Sequence, residues 1–260
     1  MKNKIVVANF KMNLVLKFEI ENWLKNFSKF KNDLINCQTT IVLSPPILNS
    51  LQFVEYFKDI SSINVGLQDA FWERKGSFTG GVSASTFKSY GGQWVILGHS
   101  ERKKYFGETE IMVAKKIINT AKVGLNSIIC IGETAEEKRK DATEQSLLRQ
   151  LEIYFQDFPS GLLDKIAVCY EPVWAISSND PLDLPTADEI MMIKLFIKKF
   201  FVKKYGAKVG DNLNILYGGS VNRHNVREIT YEAGIDGVLV GKASLIPAEL
   251  FGLIKQVEDK

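Results

Sequence analysis

Two neighbouring stretches decide the fold: Leu213-Asn214-Ile215-Leu216-Tyr217-Gly218-Gly219-Ser220 and, further on, Gly237-Val238-Leu239-Val240-Gly241-Lys242-Ala243-Ser244. Each is a short apolar run that ends in a glycine-containing turn. Such a run, aliphatic at almost every position, fits a strand covered on both faces. The same unit recurs upstream at Ile5–Ala8, Thr40–Leu43, Ile63–Leu67, Trp94–Leu97, Ser127–Ile131 and Ile166–Tyr170. Longer stretches with helical spacing separate most of these runs. Phe18–Phe30 places Phe18, Trp23, Leu24, Phe27 and Phe30 near one face, and Glu108–Ala121, Glu136–Phe155 and Asp188–Lys204 begin with acidic residues that suit a helix N-terminus. Pro45-Pro46 should start the helix after the second strand abruptly. Strands alternating with helices predict βαβ units and a parallel sheet. Eight such units in 260 residues favour a closed (β/α)8 barrel, one domain over residues 1–260, rather than an open doubly wound sheet. No Gly-x-Gly-x-x-Gly follows the first strand, which argues against a dinucleotide-binding version.

Composition narrows the class. The chain is 45% hydrophobic and 24% charged, as an average soluble domain is. Its 33 basic and 30 acidic residues give a net charge of +3 and are interspersed, so no nucleic-acid partner is expected. The three cysteines, Cys37, Cys130 and Cys169, are odd in number and widely spaced, which suits neither a disulfide framework nor a zinc motif and points to a reducing compartment. Ile5–Ala8 is too short for a signal-peptide core, and no run approaches the ~18 apolar residues of a membrane span. A soluble, cytoplasmic protein without a membrane partner is expected.

In a parallel barrel, functional groups gather past the C-terminal ends of the strands. Asn9 and Lys11 follow the first strand, and alternation would point both the same way. Lys11 there is either a solvated lysine or a cation for an anionic substrate. His99, one of two histidines, stands at the strand-to-helix transition after the fourth strand. It is either structural or an imidazole kept neutral by the helix dipole. Glu171 ends the sixth strand, just ahead of Pro172-Val173-Trp174-Ala175-Ile176. It is either one half of an ion pair or a base whose pKa burial should raise. Ser220, Gly241 and Lys242, in the turns after the seventh and eighth strands, suit a phosphate monoester. His224 is read as a surface or capping residue in the helix after the seventh strand, and Cys130, Cys169 and the Trp23/Phe27/Phe30 stripe as core.

Ala8–Asn13, Gly98–Arg102, Cys130–Glu133, Tyr170–Ile176 and Tyr217–Val221, in this order, closely resemble the triosephosphate isomerase family from first strand to last helix. The resemblance implies a TIM barrel that interconverts dihydroxyacetone phosphate and D-glyceraldehyde 3-phosphate, in glycolysis and gluconeogenesis, with no metal or cofactor. It implies Glu171 as base, His99 as neutral electrophile and Lys11 as substrate-binding cation, with Asn9 beside it and Glu101 as its acidic neighbour. It implies Ser177, Ser220, Gly241 and Lys242 as the phosphate grip. It also implies a homodimer whose loop Gly76–Gly80 carries Thr79 at its tip. The chain departs from the family pattern in places. Ser177-Ser178-Asn179-Asp180-Pro181 replaces a glycine-rich lid sequence, Lys242 replaces a usual glycine, Gly81 a usual glutamate and Asp69 a usual asparagine. The altered lid keeps open one alternative, a catalytically impaired barrel that acts as a binding or surface-interaction protein. A Schiff-base aldolase would need a lysine on an inner strand face, and no central strand has one.

Overall fold

The structure, a computed structural model, describes residues 3–176 and 183–258. Eight parallel strands close into a barrel in chain order: β1 (Ile5–Asn9), β2 (Thr40–Ser44), β3 (Ile63–Leu67), β4 (Trp94–Leu97), β5 (Asn126–Ile131), β6 (Ile166–Tyr170), β7 (Asn214–Tyr217) and β8 (Gly237–Val240). β8 returns to β1 with Ile5 opposite Gly237. The two-residue period of a strand builds two separate apolar layers. Ile5, Val7, Val42, Ile96, Ile128, Cys130, Cys169, Leu216 and Leu239 form one cluster, the filling of the barrel. Their neighbours Val6, Ala8, Ile41, Leu43, Val95, Leu97, Ile129 and Val168 join a second cluster with the helices. Cys130 and Cys169 are core, as expected, and are register partners across β5 and β6.

The helices are α1 (Lys17–Phe27), α2 (Lys31–Ile35), α3 (Ser50–Phe57), α4 (Ala84–Ser89), α5 (Ser100–Phe106), α6 (Glu110–Val123), α7 (Ala135–Arg139), α8 (Thr143–Phe155), α9 (Ala187–Tyr205), α10 (Ala207–Asn212) and α11 (Pro247–Glu258). Three differ from the sequence reading. The stretch Phe18–Phe30 is helical only to Phe27 and tightens into a 3-10 turn at Ser28–Phe30. Glu136–Phe155 is two helices, because Asp141 takes a left-handed φ of 51° that no helix continues through. After Pro45-Pro46 a 3-10 turn, Ile47–Asn49, precedes α3. His224 is exposed and lies in a turn ahead of the π-helical segment Glu228–Glu232, not in a helix. Among the described residues no helix is long and apolar enough to cross a membrane.

The aromatic stripe of α1 has a positional role. Trp23 stacks on Phe27 and Phe53 at 4.7 and 5.5 Å, and Phe10 meets it edge-on at 4.9 Å. The Trp23 indole N–H donates to the Ser244 carbonyl at 3.0 Å, and the Ser244 hydroxyl donates to the Asn9 carbonyl at 3.2 Å. A buried indole that must satisfy its N–H thereby ties the end of β1 to the turn after β8.

Candidate active site

Gly98 follows β4 with a φ of 72°, which a side chain would resist, and the turn delivers His99 to the N-cap of α5. The Glu101 backbone N–H donates to His99 Nδ1 at 3.2 Å. A nitrogen that accepts cannot carry a proton, so this bond assigns the imidazole proton to Nε2. Nε2 faces Glu171, 2.8 Å from its Oε1. That approach is not aligned as a hydrogen bond, and Oε1 has no hydrogen-bond donor among the described residues. Oε2 accepts the Ser100 backbone N–H at 3.1 Å. Both side chains are buried.

Burial disfavours either charge, and in each case the partner and its neighbours together outweigh it. Burial raises the Glu171 carboxyl, but His99, the Ser100 N–H and Lys11 draw it down further, leaving it below the ordinary range. Burial lowers His99, but the Glu171 carboxylate pushes it up past its ordinary value. For each residue burial is the largest single influence, and the surrounding charges together reverse its direction. Burial, the Lys11 ammonium and the Glu101 amide on Nδ1 favour the uncharged ring.

β1 stops at Asn9, and Lys11 turns off it with a left-handed φ of 52°. Strand alternation therefore does not place Lys11, as it had been expected to. Its N–H donates to Asn9 Oδ1 at 3.0 Å, and its carbonyl accepts Gln68 Nε2 at 2.8 Å. Gln68 also donates to the Ser44 carbonyl at 2.9 Å. This strained residue is held from both sides, and its ammonium lies 2.5 Å from Glu101 Oε1. Asn9 thus supports the turn, and Glu101 fixes the cation.

Lys11, His99 and Glu171 line one cavity of about 210 Å3 together with Gly219, Gly241 and Lys242. Ser220 is not among its lining residues, and its backbone N–H donates to the Ala175 carbonyl at 2.8 Å. Ser177, with the rest of 177–182, lies outside the described residues. Thr79 is exposed on the loop after β3 and borders a different groove, of about 480 Å3, with Ile47, Trp72 and Phe106. A larger groove of about 630 Å3 lies outside the barrel between α8 and α9 and contains none of these groups.

Three residues that position the site carry no functional mark in the sequence. Ser100 supplies the N–H that holds Glu171. Glu133, fully buried, accepts the Tyr170 hydroxyl at 3.1 Å and the Trp174 indole at 2.7 Å, and its carbonyl accepts the Val173 N–H at 3.0 Å. It pins the segment that follows Glu171. Gly132 lies so close to that segment that a Cβ would sit 1.9 Å from the Glu171 carbonyl oxygen. All three stand just past strand ends, which was the available signal. Asp69, which stands where asparagine is usual in the resembling family, is bound by Lys116 at 2.8 Å and by Arg102 at 2.8 Å. Both cations also hold Glu108, so two acids and two bases balance at the root of the Gly76–Gly80 loop.

The profile of the triosephosphate isomerase family matches residues 4–257. Curated relatives named triosephosphate isomerase span nearly the whole chain. That of Alkaliphilus oremlandii (strain OhILAs) is 35% identical over 98% of this chain and 99% of its own length. That of Dictyoglomus thermophilum is 35% identical over 98% and 100%. That of Chloroherpeton thalassium is 33% identical over 99% and 100%.

Proposed function

The chain belongs to the triosephosphate isomerase family and is an isomerase, and from that premise we propose that it interconverts dihydroxyacetone phosphate and D-glyceraldehyde 3-phosphate through an enediolate. The observation that carries the proposal is the meeting of Lys11, His99 and Glu171 in one cavity beside the Gly219 and Gly241-Lys242 backbone.

A substrate carbonyl in that cavity would take the His99 Nε2–H, which now faces Glu171, and release the carboxylate toward the adjacent carbon. Glu171 would remove a proton there and return it to the neighbouring carbon. His99 and Lys11 would stabilise the oxyanion formed between these steps, as donors already in place when charge develops. Glutamate base, neutral histidine and closing loop are the pattern known for this family. The phosphate would lie on the Gly241 and Lys242 backbone, with the Lys242 ammonium adding charge. Ser220 would join when its N–H leaves the Ala175 carbonyl.

The proposal includes a homodimer. Its support is the groove of Ile47, Trp72 and Phe106 beside the Gly76–Gly80 loop, where a second copy would cover side chains that now stand exposed, such as Phe106. A role in glycolysis and gluconeogenesis and a cytoplasmic setting are proposed on family likeness alone.

The test is a steady-state assay with D-glyceraldehyde 3-phosphate beside Glu171→Gln, with sedimentation for the dimer. Fast turnover lost in the variant is the expected result. A folded wild-type protein without turnover would overturn the proposal.

A further inference from the structure

A second cavity, of about 350 Å3, shares Glu171 as a lining residue with the first. Its walls are largely apolar, with Cys130, Ile131 and Val173 among them. Three cations reach it, beside the carboxylate residues Glu110, Glu137 and Glu171, and the cations are not equivalent. Arg149 is committed to Glu110 at 3.3 Å and Glu137 at 3.4 Å, and Lys104 is exposed. Lys103 differs. Its ammonium donates to Gln150 Oε1 at 3.2 Å and lies 5.5 Å from the Tyr154 ring centroid, and among the described residues it has no carboxylate within 4.0 Å. Burial lowers its pKa, and the more distant Glu110 and Glu171 recover only part of that. Beside it, the Tyr154 hydroxyl is fully buried without a hydrogen-bond partner among the described residues.

A half-buried ammonium whose only hydrogen-bond partner among the described residues is a neutral amide remains under-compensated, and an anion would relieve it. The cavity has the size of a small-ligand site, and its apolar walls suit a carbon chain better than a phosphate's full hydration. We propose that this cavity binds a small aliphatic monocarboxylate, with its carboxylate on Lys103 Nζ and its chain against Cys130, Ile131 and Val173. Gln150 couples the site to the chemistry next door. Its Oε1 also accepts the Gly132 N–H at 3.2 Å and its Nε2 donates to the Gly132 carbonyl at 2.9 Å, beside the Glu171 backbone. The proposal does not depend on the isomerase reading.

Butyrate titrated calorimetrically into the intact protein tests it. Butyrate is expected to bind at least tenfold more weakly in Lys103→Met than in wild type, and near wild-type in Lys103→Arg and Lys11→Met. Binding unchanged in Lys103→Met, binding lost in Lys11→Met instead, or no butyrate heat at all would each overturn it. Should Lys103→Met not fold, a butyrate-soaked crystal decides: density about 3 Å from Lys103 Nζ supports the site, and its absence there overturns it.

Discussion

Glu171 and His99 illustrate how far a single residue's chemistry depends on its partner. Each is buried and should resist charge, and the other, 2.8 Å away, joins its neighbours in outweighing burial. Reach matters as much as charge. Glu171→Asp withdraws the carboxylate by one bond while its N–H stays on the Ile131 carbonyl at 2.7 Å. Misplacement of this order costs about 100-fold in turnover, with little change in KM, and steady-state kinetics will show it. Near wild-type turnover would remove Glu171 from the role of base. That Lys11, His99 and Glu171 belong together was legible in the sequence, because each follows an apolar run that had to be a strand. What held them was not legible. Lys11 reaches the cavity through a left-handed turn braced by Gln68, and Gln68 is as ordinary in sequence as any strand-end amide.

The helices show which local signals survive folding. Two begin with a capping box, Thr134 with Glu137 on α7 and Thr186 with Glu189 on α9. In each the threonine and the glutamate satisfy one another's backbone N–H. The Thr186 N–H, helped by Lys138, draws Glu189 below its ordinary 4.5, and Ser146 and Thr134 outweigh burial to do the same for Glu137. A carboxyl with a folded pKa below its unfolded one adds stability that is complete above pH 4.5 and lost as pH falls through the folded value. Thermal melts from pH 6 to 3 should therefore fall more steeply for wild type than for Glu189→Gln. Parallel curves would show that the ionised Glu189 carboxylate contributes nothing. Thr186→Ala should cost about 1 kcal/mol at neutral pH. The acidic starts were readable from sequence, whereas the break at Asp141 was not. Apolar spacing continues across it, and only the backbone angle reveals that one amphipathic stretch is two helices.

Across the whole molecule, the strand count, the parallel order and the mouth as the place of chemistry followed from recurring apolar runs. The second cavity did not, because Lys103, Gln150 and Val173 come from separate units and meet only when the barrel closes. Closure also isolates part of the chain from solvent chemistry. Cys130 and Cys169 face each other from β5 and β6 at 1% and 0% exposure, while Cys37 is half-exposed with its thiol pushed up to about 11. At pH 8 a thiol with that pKa is about one part in a thousand thiolate, so even Cys37 should react slowly with an aromatic disulfide reagent. The other two should not react until β5 and β6 part, and all three should react at once in denaturant. Early labelling of Cys130 or Cys169 would mean that the barrel breathes locally. Otherwise the pair serves as a built-in clock, in which each modified molecule marks one complete excursion from the native state.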